Sequence, residues 1–168
     1  MRYYLLMFSM ILNIIVALSP YYWWYYSIGG ILVVKDSLFN LYVNLLGSNY
    51  EIINVINYFL FSFRFYVISV SAYYLYTAYK GIRNTYLLIM WASYFYFLDP
   101  IIVYLIFEYI LGSFMPIKYP FFIIGTEVIN VYESGAKISM PIESYPTLFY
   151  WFVLFVGTIN LISRFIKR

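Results

Sequence analysis

Four runs of predominantly apolar residues divide the chain, at positions 3–19, 52–79, 86–111 and 147–162. A helix that crosses a bilayer needs roughly 20 apolar residues. The second and third runs exceed that length, which predicts tilted helices or helices that project beyond the bilayer. The first run is short and ends at Pro20, but the aromatic stretch 21–26 extends it as a membrane-interface belt. The pattern therefore predicts a bundle of four transmembrane helices.

The charged residues outside these runs predict the orientation of the bundle. Basic residues occupy the two termini and the short turn between the second and third runs, at Arg2, Lys80, Arg83, Arg164, Lys167 and Arg168. No acidic residue accompanies them, whereas the loops 20–51 and 112–146 carry several. The positive-inside rule then places both termini and the short turn in the cytoplasm, and both loops outside the plasma membrane. A cleaved signal peptide competes for positions 1–19, but Ser19-Pro20 lacks a small-residue cleavage site, which favours an uncleaved helix.

The two long loops show strand patterns. Apolar residues alternate with polar ones over 39–45, which indicates a half-buried strand, although Leu38, Leu41 and Leu45 also fit a helix. In the second loop, 126–132 and 136–140 flank a turn at Ser134-Gly135, which predicts a hairpin. We therefore predict an all-α membrane protein: a four-transmembrane-helix bundle in a single integral membrane domain, 1–168, with a small β-rich extracytoplasmic cap formed by the two loops.

Composition supports membrane insertion and excludes several kinds of chemistry. The 168 residues are 65% hydrophobic and only 10% charged, against about 25% charged in soluble domains. The chain contains neither cysteine nor histidine, so disulfides and the usual ligands of zinc, copper and haem are missing. We expect no cofactor and no bound metal. The net charge of +3 follows the membrane topology and does not indicate a nucleic-acid partner.

Two charges lie inside the apolar runs, Arg64 in the second and Asp99 in the third. If these runs form a helical hairpin about the turn at Gly81, both charges lie at the same depth, about 26 Å from the turn at 1.5 Å per residue. An ionisable residue inside a bilayer is a candidate functional residue. We therefore predict an intramembrane charge pair between Arg64 and Asp99.

Two interpretations of this pair remain open. The functional interpretation is a proton or ion relay, or a polar pocket for a ligand such as a quinol. The structural interpretation is an ion pair that sets helix register. Tyr94 and Tyr96 are positioned to support the charges, and Glu108 is a further candidate near the outer end of the third run. Pro100, next to Asp99, is expected to kink the helix.

The predicted layout of four spans, a short inner turn and two outer loops resembles that of claudins and tetraspanins. The claudin pattern of Trp, Gly-Leu-Trp and two cysteines is absent here, since Trp23 and Trp24 are adjacent and the chain has no cysteine. The Cys-Cys-Gly of tetraspanins is absent for the same reason. Size and span count are also similar to the small DoxD-type subunit of thiosulfate:quinone oxidoreductase.

The sequence contains no catalytic triad, phosphate loop or paired-carboxylate motif at helical spacing, so we do not expect an enzyme. The leading functional hypothesis is a cofactor-free accessory subunit of a larger membrane complex, in a respiratory or other electron-transfer assembly. Its expected partners are the lipid bilayer and other membrane subunits. The first alternative is a small transporter, channel or quinone-site protein that uses Arg64 and Asp99. The second is a cell-surface or viral-envelope interaction protein that uses the cap.

Overall fold

The structure, a computed structural model, describes residues 3–49, 51–82, 94–99, 101, 102, 105, 109, 125–133 and 136–166. Its long helices are α1 (Tyr4–Leu18), α2 (Glu51–Tyr79) and α3 (Leu148–Phe165). Residues 94–99 are also helical. The strands are β1 (Trp24–Ile28), β2 (Leu32–Ser37), β3 (Asn40–Leu45), β4 (Ser48–Asn49), β5 (Gly125–Glu133) and β6 (Ala136–Pro146).

These six strands form one antiparallel sheet in the order β4-β3-β2-β1-β6-β5. β1 pairs with β2 on one side and with β6 on the other, so it joins strands from both predicted loops. The prediction of an all-α protein with only a small cap is therefore wrong. Segment 24–28 explains the error, because aromatic residues favour both membrane interfaces and β-strands.

Two of the described helices, α2 and α3, are long and apolar enough to cross a membrane. α1 has 15 residues, which is about 22 Å of helix at 1.5 Å per residue. That is short of the hydrocarbon core of about 30 Å. Most of the predicted span 86–111 lies outside the described residues. The described chain thus has two candidate spans, and the predicted four-transmembrane-helix bundle is wrong.

β5 and β6 form the hairpin that the second loop predicts. Glu133 pairs with Ala136, so residues 134 and 135 remain for the turn, which itself lies outside the described residues. β6 continues past the predicted end at Met140 and pairs with β1 from Ile142 to Pro146. In the first loop, β3 pairs with β2 along its whole length, which excludes the helical alternative there.

The helices pack against one another below the sheet. The backbone N–H of Tyr3, before α1, donates to the carbonyl of Ala78 near the end of α2, at 3.5 Å. Farther along α1, Ser9 meets Ser163 near the end of α3. α1 therefore runs antiparallel to both neighbours. A Cβ at Gly157 in α3 would lie only 3.4 Å from the Phe97 ring, so this glycine lets segment 94–99 approach α3 closely.

Asn57 attaches α2 to the sheet. Its side-chain oxygen accepts from the Leu41 backbone N–H and its amide donates to the Leu41 carbonyl, both at 2.8 Å. β4 pairs with β3 only at Asn44 and Leu45, so Leu41 lies beyond the reach of that strand. The Asn57 amide thus completes the hydrogen bonding of an edge strand that is otherwise unpaired at this position.

Trp23 lies where the sheet meets the helices. Only 1% of its surface is exposed, and its ring makes edge-on contacts with Phe39, at 5.9 Å between centroids, and Tyr96, at 5.2 Å. Its carbonyl accepts from the Thr147 N–H just before α3. Trp23 is therefore a core residue, not part of an interface belt.

Candidate functional site: a buried carboxyl pair

The side chain of Asp36 lies on the apolar face of β2. The burial of β2 alternates, and Leu32, Val34 and Asp36 are its buried positions with the same orientation. Asp36 is 5% exposed and lies directly opposite Trp24 of β1 in the sheet register. The pleat of the strand thus holds a carboxyl group inside the protein, where a charge is costly unless it has a partner.

The partner of Asp36 is Asp99, at the end of helical segment 94–99. Asp99 is 7% exposed, and the two carboxyl groups are close enough for each to influence the ionisation of the other, through charge and through a side-chain hydrogen bond. A carboxylate has no proton to donate, so a hydrogen bond between two carboxyl groups requires that one of them be protonated. Oδ2 of each aspartate is buried, and no donor group of the described residues reaches it.

This environment favours retention of a proton. Burial raises the pKa of Asp36 well above its usual 3.8, and the adjacent carboxyl group of Asp99 raises the same pKa further. Both effects disfavour the charged form, because burial removes water and a second carboxylate is a like charge. The pair therefore binds a proton under conditions in which an exposed aspartate is ionised.

Aromatic side chains enclose the pair. The Trp24 ring contacts the Tyr150 ring edge-on at 5.7 Å, and its Nε1 donates to Ser144 Oγ at 3.0 Å. Tyr150, in the first turn of α3, is close enough to both carboxyl groups to interact with them electrostatically. The sheet, segment 94–99 and α3 thus all contribute to the walls of one site.

Buried polar side chains continue from the pair along the helices. The Tyr96 hydroxyl donates to Asn13 Oδ1 at 3.3 Å, and Asn160 Nδ2 donates to the same oxygen at 2.7 Å. Farther from the sheet, Ser9 and Ser163 meet at 3.5 Å. We call these side chains the polar row: Asp36, Asp99, Tyr96, Asn13, Asn160, Ser9 and Ser163. Along α3 it covers about 20 Å, from the level of Tyr150 to Ser163, at 1.5 Å per residue.

Arg64 and Asp99, the predicted charge pair, have different partners in the structure. Arg64 Nη2 donates to the Phe39 carbonyl at 3.5 Å, its guanidinium lies 5.8 Å from the Phe39 ring centroid, and its Nε is buried without a partner among the described residues. Asp99 pairs with Asp36 instead. Phe39 lies in the turn that follows β2, close in the chain to Asp36. The two predicted residues therefore reach a similar level in the fold but do not form an ion pair.

The supporting residues predicted from the sequence separate into three cases. Tyr96 is fully buried and belongs to the polar row. Tyr94 is 45% exposed and is not part of that row. Glu108 lies outside the described residues.

Asp36 is the site residue that the sequence interpretation missed. The stretch Lys35-Asp36-Ser37 has the composition of a turn, which predicts a loop at this position. The signal that identifies the residue is the two-residue alternation Leu32, Val34, Asp36, which places a carboxyl group on the apolar face of a strand. Asn13 and Asn160 bridge two helices, as amides inside apolar helices commonly do.

Among the described residues, the site has few side chains that could bind a metal ion. No group of three or more histidine, cysteine, aspartate or glutamate side chains that suits a metal occurs in the described ranges. Calcium takes six to eight oxygen ligands and magnesium demands an octahedral set. Two aspartates between aromatic rings suit a proton better than either cation.

No family model matches the chain, and no curated protein or solved structure matches it significantly. The geometry of the buried carboxyl pair and the polar row is therefore the basis on which a function can be proposed.

Proposed function

We propose that this chain is a small membrane protein that transfers protons, with the Asp36–Asp99 pair as its proton-binding site. The observation that carries the proposal is a buried pair of carboxyl groups at the head of a row of buried polar side chains. Inside a membrane protein such groups are costly, and they commonly mark proton relays or ion pathways.

The arrangement suits proton transfer for a specific chemical reason. Two carboxyl groups that share one proton can accept or release it with little change in structure, because the hydrogen bond already joins them. Tyr96, Asn13 and Asn160 supply hydroxyl and amide groups deeper in the bundle, along which a proton or a bridging water can be relayed. This proposal keeps the transporter class that the sequence suggests but replaces Arg64 with Asp36.

A flux measurement tests the proposal. Purified protein is reconstituted into liposomes that contain a pH-sensitive dye, and the decay of an imposed pH gradient is followed. We expect Asp36→Asn to slow the protein-dependent decay by at least about tenfold, because the amide cannot bind and release a proton at neutral pH.

Glu127→Gln is the matched control, since Glu127 lies on β5 of the same sheet and is exposed. We expect this variant to retain the wild-type flux. Equal flux in wild type and Asp36→Asn, or wild-type flux no faster than in protein-free liposomes, would contradict proton transfer at this pair.

An accessory subunit is the second candidate, and the surface of α2 favours it. Only 6% of the most apolar stretch of α2 is buried, and large side chains such as Tyr58, Phe59 and Phe65 are exposed. Helices of other membrane subunits fit such a surface as well as lipid does. Purification in mild detergent from the native membrane separates the two: companion subunits at fixed stoichiometry support this candidate, and a chain that purifies alone argues against it.

We also propose that the protein lies in the plasma membrane with the sheet outside and both termini in the cytoplasm. Lys80 and Arg164 lie at the ends of α2 and α3 that point away from the sheet, which fits the positive-inside rule. The chain has no cysteine, so single-cysteine variants can be labelled cleanly. We expect an impermeant maleimide to label Ser48→Cys in intact cells and Lys80→Cys only after permeabilisation; the reverse pattern would invert the orientation.

A further inference from the structure

A groove lined by aromatic side chains opens beside the first turn of α3. Its volume is about 650 Å³. Tyr25 and Tyr145 stack at 5.0 Å between centroids on one side, and Tyr21 contacts Phe149 at 5.3 Å on the other. These ring contacts hold the walls in place. We call this cavity the aromatic groove.

Lys35 is the one cationic side chain among the described residues that line the aromatic groove. Its Nζ lies 6.0 Å from the Tyr25 ring centroid and 5.7 Å from that of Tyr42. None of the described carboxylates forms an ion pair with it. The charge therefore remains available to an anionic group, and the rings around it limit its access to water.

The remaining wall of the aromatic groove is apolar and belongs to a candidate membrane span. Leu148, Phe149 and Phe152 line it from the first two turns of α3. The groove is thus amphipathic: a cation and tyrosine side chains line it on the sheet, and an apolar surface lines it on the helix. Tyrosine side chains are typical of the level at which lipid headgroups lie.

We propose that the aromatic groove binds one anionic phospholipid of the bilayer, with the phosphate at Lys35 and an acyl chain along α3 past Leu148 and Phe152. The charge of the groove matches the headgroup, and its apolar wall matches the chain. This inference requires α3 to lie in the membrane, but it does not depend on proton transfer at Asp36 and Asp99.

Native mass spectrometry of the detergent-purified protein tests the inference. The protein is titrated with phosphatidylglycerol or with phosphatidylcholine that carries the same acyl chains. A lysine near an anionic lipid contributes about 1 kcal/mol, so we expect wild type to prefer phosphatidylglycerol by about fivefold. Lys35→Gln should lose this preference, and Lys35→Arg should keep it.

Lys137→Gln is the matched control, since Lys137 is exposed on β6 outside the groove and the substitution removes the same charge. It should retain the wild-type preference. Equal binding of the two lipids by wild type would overturn the proposal, as would an equal loss in the Lys35→Gln and Lys137→Gln variants, which would indicate general attraction. Lys35 is not in the core, so we expect Lys35→Gln to fold, and circular dichroism checks this. If Lys35→Gln does not fold, Lys35→Arg provides the second test.

Discussion

Replacement of Asp36 with asparagine should weaken the dependence of the protein's thermal stability on pH, whereas the wild type should lose stability more steeply as the pH rises. The pKa of Asp36 is raised in the folded protein, first by burial and then by Asp99. The folded state thus keeps a proton that the unfolded chain has already released. The contribution of this proton to the unfolding free energy is fully present below pH 3.8, the usual pKa of an aspartate. It is lost as the pH rises through the raised pKa of Asp36 in the folded protein.

The expected slope is up to about 1.4 kcal/mol of unfolding free energy per pH unit within that window. The measurement is the midpoint of thermal unfolding in detergent between about pH 5 and about pH 8. In Asp36→Asn one of the two buried carboxyl groups is gone and the amide can donate a hydrogen bond to the Asp99 carboxylate, so the midpoint should vary less with pH, with Asp99 as the remaining titrating group of the pair. Glu127→Gln serves again as the control and should keep the wild-type slope. A slope in Asp36→Asn as steep as in wild type would show that the pair does not share a proton.

Trp23→Ala should cost about 3–5 kcal/mol of unfolding free energy, the range for large aromatic side chains removed from a core. Trp23 is 1% exposed and contacts Phe39 of the sheet and Tyr96 of the helices edge-on. Its loss leaves a cavity where the sheet and the helices meet, and these two layers cannot close the gap without shifting against each other.

Trp151→Ala provides the comparison, because Trp151 is on α3 but is 58% exposed. We expect a loss of about 1 kcal/mol or less for that variant. Chemical unfolding of both variants in the same detergent gives the two free energies. Similar losses at the two positions would mean that Trp23 acts as an interface anchor, as the sequence alone suggests.

The sequence predicted the positions of α1, α2 and α3 well because the signals of a helix are local, although the prediction of four transmembrane helices was wrong. α1 ends before Pro20, α2 ends before the turn at Lys80, and α3 covers the last apolar run nearly as expected. The β5–β6 hairpin was predicted for the same reason, since both strands and their turn are contiguous. Periodicity and turn residues are sufficient where partners are close in the chain.

The sheet and the site were not predicted, because their partners are far apart in the chain. β1 pairs with β6, and the hydrogen bond from Trp24 to Ser144 joins residues 120 positions apart. No local pattern distinguishes an aromatic strand from an interface belt. The pairing of β6 with β1 decides between these two interpretations.

The sequence by itself determined that a carboxyl group, Asp99, lies inside an apolar run, and that the chain carries fewer charges than soluble domains usually do. Depth along a helical hairpin suggested Arg64 as the partner, but depth does not specify which neighbour a side chain meets around the helix axis. The tertiary structure decided the partner, because the pleat of β2 turns Asp36 inward against segment 94–99 while α2 brings Arg64 to Phe39. A buried charged group needs a hydrogen-bond or charge partner, and that partner is the neighbour that tertiary packing places beside it. The packing in turn depends on pairing between segments that are distant in the chain.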